Sequence, residues 1–190
     1  MKNLALSPLE HSDHLVQPEE FEEINLKSAA LAIFTDFKKH KPLMIDSHTS
    51  AQDVAKDMKR SHVKMKLVVD RDKEFVGLIS FDDIAAQNVT KLVANGYPRS
   101  EVSASTLMTP RHLIRALSFE DIEKSTIGDL VHTLKRNGVQ HCLVVDQANH
   151  HIRGLISASD IARKLKLNIS IEEMPSFADI FQAVRGDLIH

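Results

Sequence analysis

The chain has 190 residues, 43% hydrophobic and 26% charged, an ordinary globular composition for one large domain or two small ones. Lys and Arg number 24 against 26 Asp and Glu, a formal net charge of −2 with 11 neutral histidines, so binding nucleic acid through a generally basic surface is not expected. The lone cysteine, Cys142, cannot close an internal disulfide, and the longest strongly apolar stretch, Ala29–Phe34, falls far short of the ~20 residues of a membrane span. A protein free of the membrane is expected, in the cytoplasm, with no signal peptide in Met1–Leu9.

Residues 1–29 read as a polar N-terminal segment that ends in the start of a helix, with Glu19, Glu20, Glu22 and Glu23 close together. His11 and His14 have a spacing that could hold a metal on a helix, but no third ligand is near, and a polar tail is the expected reading. From residue 30 the chain repeats itself. Gly77-Leu-Ile-Ser-Phe-Asp-Asp-Ile-Ala85 returns as Gly154-Leu-Ile-Ser-Ala-Ser-Asp-Ile-Ala162, with seven identities in nine positions. Upstream, Asp53–Asp70 aligns without gaps on Asp129–Asp146, and Leu67-Val-Val-Asp70 recurs as Leu143-Val-Val-Asp146. Phe34-Thr-Asp36 resembles Met108-Thr-Pro110, so each copy is expected to carry a matching leader. The copies span residues 30–88 and 103–167, with residues 89–102 as a linker holding a short helix and a turn.

Both copies read alike. Val54, Ala55 and Met58, like Leu130, Val131 and Leu134, lie on one helical face. A helix stop at Asn137-Gly138 and a turn near Ser61-His62 come next. Met65–Val69 and Phe75–Ile79, like His141–Val145 and Ile152–Ile156, are β-rich runs joined by polar turns, and Leu43–Ile45 or Leu113–Leu117 supplies a strand ahead of them. Ser80 or Ser157 then opens a second helix. The unit is β-α-β-β-α, an α/β (α+β) fold in which a three-stranded sheet carries two helices. Extra residues near Phe119–Ile122 precede the second unit's first helix, where a ligand mouth would lie. In residues 168–190, Phe177, Ile180, Phe181 and Val184 form the stripe of an amphipathic helix, to be docked on its own core or on a partner.

The leader Leu107-Met-Thr-Pro110, the Leu-Val-Val-Asp strand turn and the doubled Gly-Leu-Ile-Ser-x-x-Asp-Ile-Ala resemble the CBS domain, named after cystathionine β-synthase, in a tandem pair or Bateman module. The resemblance implies two units packed sheet to sheet about a pseudo-two-fold axis, with flanking helices outside them. It implies clefts that bind AMP, ADP or ATP, a homodimer, and a regulatory role exerted on an unidentified effector protein, with no catalytic residue and no required cofactor. Carried over by position, it nominates Ser80, Asp83, Ser157 and Asp160 for the ribose. Val63, Met65, Val139 and Ile156 would face the adenine, Thr109 of the leader would join the contacts, and Arg111, His112 or Arg163 would supply cations for phosphate.

The residues support such a role and a plainer one. A carboxylate is a good acceptor for paired ribose hydroxyls, and a glycine lets a ligand or another backbone approach closely. Ser-x-x-Asp ahead of an apolar helix is equally a capping box. The alternative is therefore an unliganded structural or protein-interaction module. His141 in a strand is expected to be a partly buried core histidine, and Cys142 a small core residue. NAD and S-adenosylmethionine remain open as ligands beside the adenine nucleotides. No phosphate-cradling loop, dinucleotide fingerprint or nucleophile elbow is present, so no enzyme is expected.

Overall fold

Ser50 accepts a hydrogen bond from the Asp53 amide, and Thr126 and Asp129 form a reciprocal capping box. These two caps start equivalent helices 76 residues apart, each with its apolar stripe turned inward. Around them a computed structural model describes residues 8, 10, 24–136, 138–167, 169 and 175–187. His11, His14, the Glu19–Glu23 cluster and Asn137 lie outside the described residues.

In chain order the elements are β1 (Phe34–Asp36), β2 (Met44–Asp46), α1 (Ala51–Arg60), β3 (Met65–Val69), β4 (Phe75–Ser80) and α2 (Ala86–Ala94). The second half runs α3 (Ala104–Leu107), β5 (Thr109–Pro110), β6 (Ala116–Ser118), α4 (Phe119–Glu123), α5 (Ile127–Leu134), β7 (His141–Asp146), β8 (His151–Ser157), α6 (Ala158–Lys164) and α7 (Phe177–Asp187). The expected order recurs, as β2-α1-β3-β4-α2 and as β6-α5-β7-β8-α6, with one correction. Ser157 is followed directly by α6, but Ser80 opens no helix, because residues 81–84 form turns and α2 starts only at Ala86 and runs into the stretch assigned to the linker. Both β hairpins carry a register shift at the same place, Val68/Val69 and Val144/Val145.

The sheets have four strands, not the expected three, in the orders β2-β3-β4-β5 and β1-β8-β7-β6. The fourth strand of each sheet is the leader of the other unit. β1 pairs antiparallel with β8, and β5 with β4. The exchange reaches beyond the strands. Ala30 and Ile33 are buried in the second unit's core, and Ala104 is buried in the first unit's core. Ala29 bridges to Thr126 and Ser103 to Ser50, a pseudo-symmetric pair of tethers.

The exchange also gives the repeated glycines their reason. A Cβ on Gly154 would sit 2.2 Å from the Thr35 carbonyl oxygen and 2.5 Å from the Phe34 ring. One on Gly77 would lie 2.6 Å from both the Met108 sulfur and the Thr109 carbonyl oxygen. Of the two uses open to these positions, close approach of another backbone is the one realised.

Beyond β1, Arg153 grips Asp36 through two hydrogen bonds of 2.9 and 2.7 Å and lays its guanidinium over Phe119. The guanidinium beside it lowers the Asp36 carboxyl from 3.8 to about 2. The residues near Phe119–Ile122 form α4, which buries Ile122 in the second core. The two sheets meet through Met65, Leu67 and Leu143, with Leu78, Ile114 and Leu155 around them. α7 buries Phe177, Ile180 and Val184 against the second unit's core, so that stripe serves its own core.

Candidate functional site

At the seam, a cleft of about 530 Å³ opens between the first unit's Ser-x-x-Asp turn and the second unit's loop into β7. Met65, Leu78, Ser80, Asp82, Asp83 and Thr109 form one wall. The other wall comes from Leu113–Leu117, the end of α5 at Thr133 and Leu134, and Gly138–Cys142. Of the expected ligand contacts, Met65, Ser80, Asp83, Thr109 and Val139 are brought together here. Val139, half exposed, stands at the mouth with Leu113.

The turn after β4 makes the reciprocal bonds of a capping box, although the chain continues as turns over residues 81–84 and no helix starts there. The Ser80 amide and hydroxyl both donate to Asp83 Oδ2 at 2.7 Å, and the Asp83 amide donates to Ser80 Oγ at 3.3 Å. Both bonds to the carboxylate fall on one oxygen, so Oδ1 keeps its lone pairs for another donor. These bonds and a ligand contact are therefore compatible on one residue. Beside it, Asp82 Oδ2 accepts from Gln140 Nε2 at 3.0 Å, a bond that crosses from one unit to the other.

His141 lines the far wall, where burial lowers its imidazole to about 4, so the ring is neutral near pH 7. The same cause pushes the Cys142 thiol up to about 11, which keeps it unreactive at neutral pH. Among the described residues, no group of three His, Cys, Asp or Glu side chains is placed to hold a metal ion.

The remaining expected contacts lie elsewhere. Ile156 is fully buried in the second core because strand alternation turns Leu155, not Ile156, toward the seam. Val63 is half-buried ahead of β3 and outside the cleft lining. Arg111 sits in a short 3₁₀ turn (Arg111–Leu113) and donates to the Phe75 carbonyl at 3.5 Å, away from the cleft. The cation that does line it is Arg115, four residues on. Sequence reasoning missed Arg115, although it stands alone within the apolar run Leu113–Leu117.

The second motif is built differently. Ser157 begins α6 without a side-chain cap, and the Asp160 carboxylate is ion-paired with Arg163 one turn on. Where the first cleft has Cys142, the other unit has Lys66, which is 4% exposed and ion-paired with Asp57. The strand pairing sets Leu43 opposite in role to Arg115, since Met44 pairs with Leu67 as Ala116 does with Leu143. The duplicated seam is thus chemically unequal at its two ends.

The CBS domain model matches residues 35–87 and 123–167. No curated protein sequence matches the chain. Among solved structures, an uncharacterized conserved protein from Pyrococcus horikoshii is 18% identical, with 77% of this chain and 98% of that one covered and a TM-score of 0.56. CBSX2, solved in complex with AMP, is 20% identical over 72% of this chain and 94% of its own, with a TM-score of 0.51. The CBS domain pair of protein MJ0100, solved with 5′-methylthioadenosine and S-adenosyl-L-methionine, is 19% identical over 72% and 94%, again with a TM-score of 0.51.

Proposed function

The chain belongs to the CBS domain family as a tandem pair, and from that premise we propose that it is a regulatory module, not an enzyme, that binds an adenine nucleotide in the Asp83 cleft. The observation that carries this reading is the cleft itself, with an acceptor carboxylate on one unit facing an apolar wall and a neutral imidazole on the other. The AMP held by one structural neighbour, and the adenosine compounds held by another, support the ligand class. Ribose hydroxyls donate to Asp83 Oδ1, while the adenine lies among Met65, Val139 and His141. A ligand that touches both units favours one arrangement of the seam over another, and only that difference in affinity is available for signalling.

The protein acts in the cytoplasm as a homodimer and passes its ligand state to an effector protein. α2, which buries none of its residues and leaves Val93 exposed, supports an outward surface of this kind.

Calorimetric titration of AMP, ADP and ATP into the wild type, Asp83→Ala and Asp160→Ala tests the reading. Asp83→Ala weakens binding at least about tenfold, the loss expected of a charged hydrogen-bond acceptor. Asp160→Ala, whose carboxylate Arg163 already occupies, changes it less than about twofold. Absent heats and an unchanged melting temperature at millimolar nucleotide would remove the proposal. The structural-module reading then stands, and the reciprocal bonding of Ser80 and Asp83 is what favours it.

A further inference from the structure

Resting on that reading of the cleft, we propose that the ligand it selects is an adenosine compound with one phosphate, and that Arg115 is the residue that holds this phosphate. The charged side chains among the described residues that line the cleft are Asp82, Asp83 and Arg115. One guanidinium therefore faces two carboxylates. His141 cannot serve as a second cation, because its ring is neutral.

Arg115 is exposed and has no ion-pair partner among the described residues, whereas Arg60, Arg153 and Arg163 are each held by an aspartate. It is thus a donor fork without an acceptor, at the rim of a cavity whose other charges are negative. A terminal phosphate supplies the matching acceptor, and guanidinium–phosphate contacts are charge-assisted and frequently bidentate. A second and third phosphate would add negative charge to a cleft that already holds Asp82 and Asp83, with no further cation in the lining to meet it.

The placement is also specific to one end of the seam. Arg115 has Leu43 as its repeat counterpart, so of these two equivalent positions only the one in the second unit carries a cation. It stands on the second unit facing the first unit's motif, across the cleft whose Asp83 is free of an arginine. At the other end, Asp160 has its arginine already.

The test is calorimetry on the full chain with adenosine, AMP and magnesium-free ATP, for the wild type and Arg115→Gln. Wild type binds AMP about tenfold more tightly than adenosine, and about tenfold more tightly than ATP. Arg115→Gln brings AMP down to the level of adenosine, with adenosine itself unchanged within about twofold. Adenosine affinity also reports that the variant's cleft is intact. ATP binding as tightly as AMP, or AMP no better than adenosine, overturns the inference and leaves the nucleotide-binding reading in place. An equal loss of adenosine and AMP in Arg115→Gln overturns it too, since Arg115 would then be shaping the cleft. Failure of all three ligands removes the underlying reading with it.

Discussion

His141 shows how a single side chain can tie the cleft to pH. Its folded pKa, about 4, lies below the ordinary 6.5, so between these values the unfolded chain takes up more protons than the folded one. The stabilisation is complete above pH 6.5 and is lost as pH falls toward 4. Denaturant unfolding across this window should show a decline of about 2 kcal/mol, less than the full shift because the ring is partly exposed. His141→Gln removes that part of the slope, and a variant that kept it would assign the titration elsewhere. The sequence placed His141 in a strand between apolar neighbours and so suggested a core residue. Its place on the cleft wall depends on the second unit's loop opening toward the first unit's turn, and no local pattern contains that. The Asp83 motif was legible because a cap and an acceptor need the same serine and carboxylate at the same spacing.

The exchanged leader strands set the behaviour of whole elements. Gly154→Ala puts a methyl group into the Thr35 carbonyl and the Phe34 ring, and β1 must move off β8 to admit it. A loss of about 3 kcal/mol, the upper range for overpacking, is expected in urea unfolding. Gly186→Ala, with nothing within 4 Å of the added carbon, serves as the control and should be neutral or slightly stabilising. Equal effects at the two positions would mean that β1 does not press on β8. α7 shows the opposite kind of legibility. Its stripe at Phe177, Ile180, Phe181 and Val184 was plain in the sequence, but what it covers was not. The Phe177 amide donates to the Val139 carbonyl at 3.1 Å, which ties α7 to the loop that lines the cleft.

For the molecule as a whole, the exchange means that neither unit is complete from its own stretch of chain. A fragment of residues 24–102 keeps a leader whose partner is gone and lacks the β5 edge and the buried Ala104 of its own sheet and core. Such a fragment should lack a cooperative thermal transition by circular dichroism, while the full chain melts in one step. A sigmoidal melt of the fragment would show that the exchanged segments are dispensable. The seam adds to this coupling, because Met65, Leu67 and Leu143 are covered only when the sheets face each other. A cleft formed along such a seam exists only in the intact pair.

The order of strands, the two-fold repetition and the Ser80–Asp83 turn were determined by the sequence, since each rests on periodicity and spacing within a few residues. Which unit receives each leader, which repeat glycine meets which backbone, and which arginine reaches the cleft were decided by the tertiary structure. Those are relations between segments some 30 to 120 residues apart, as in the pairing of Asp36 with Gly154 and of Gly77 with Pro110. Duplication makes the copies alike in pattern, but packing assigns their surfaces different neighbours. Arg115 and Leu43, or Cys142 and Lys66, therefore came to differ in role while the elements carrying them remained equivalent.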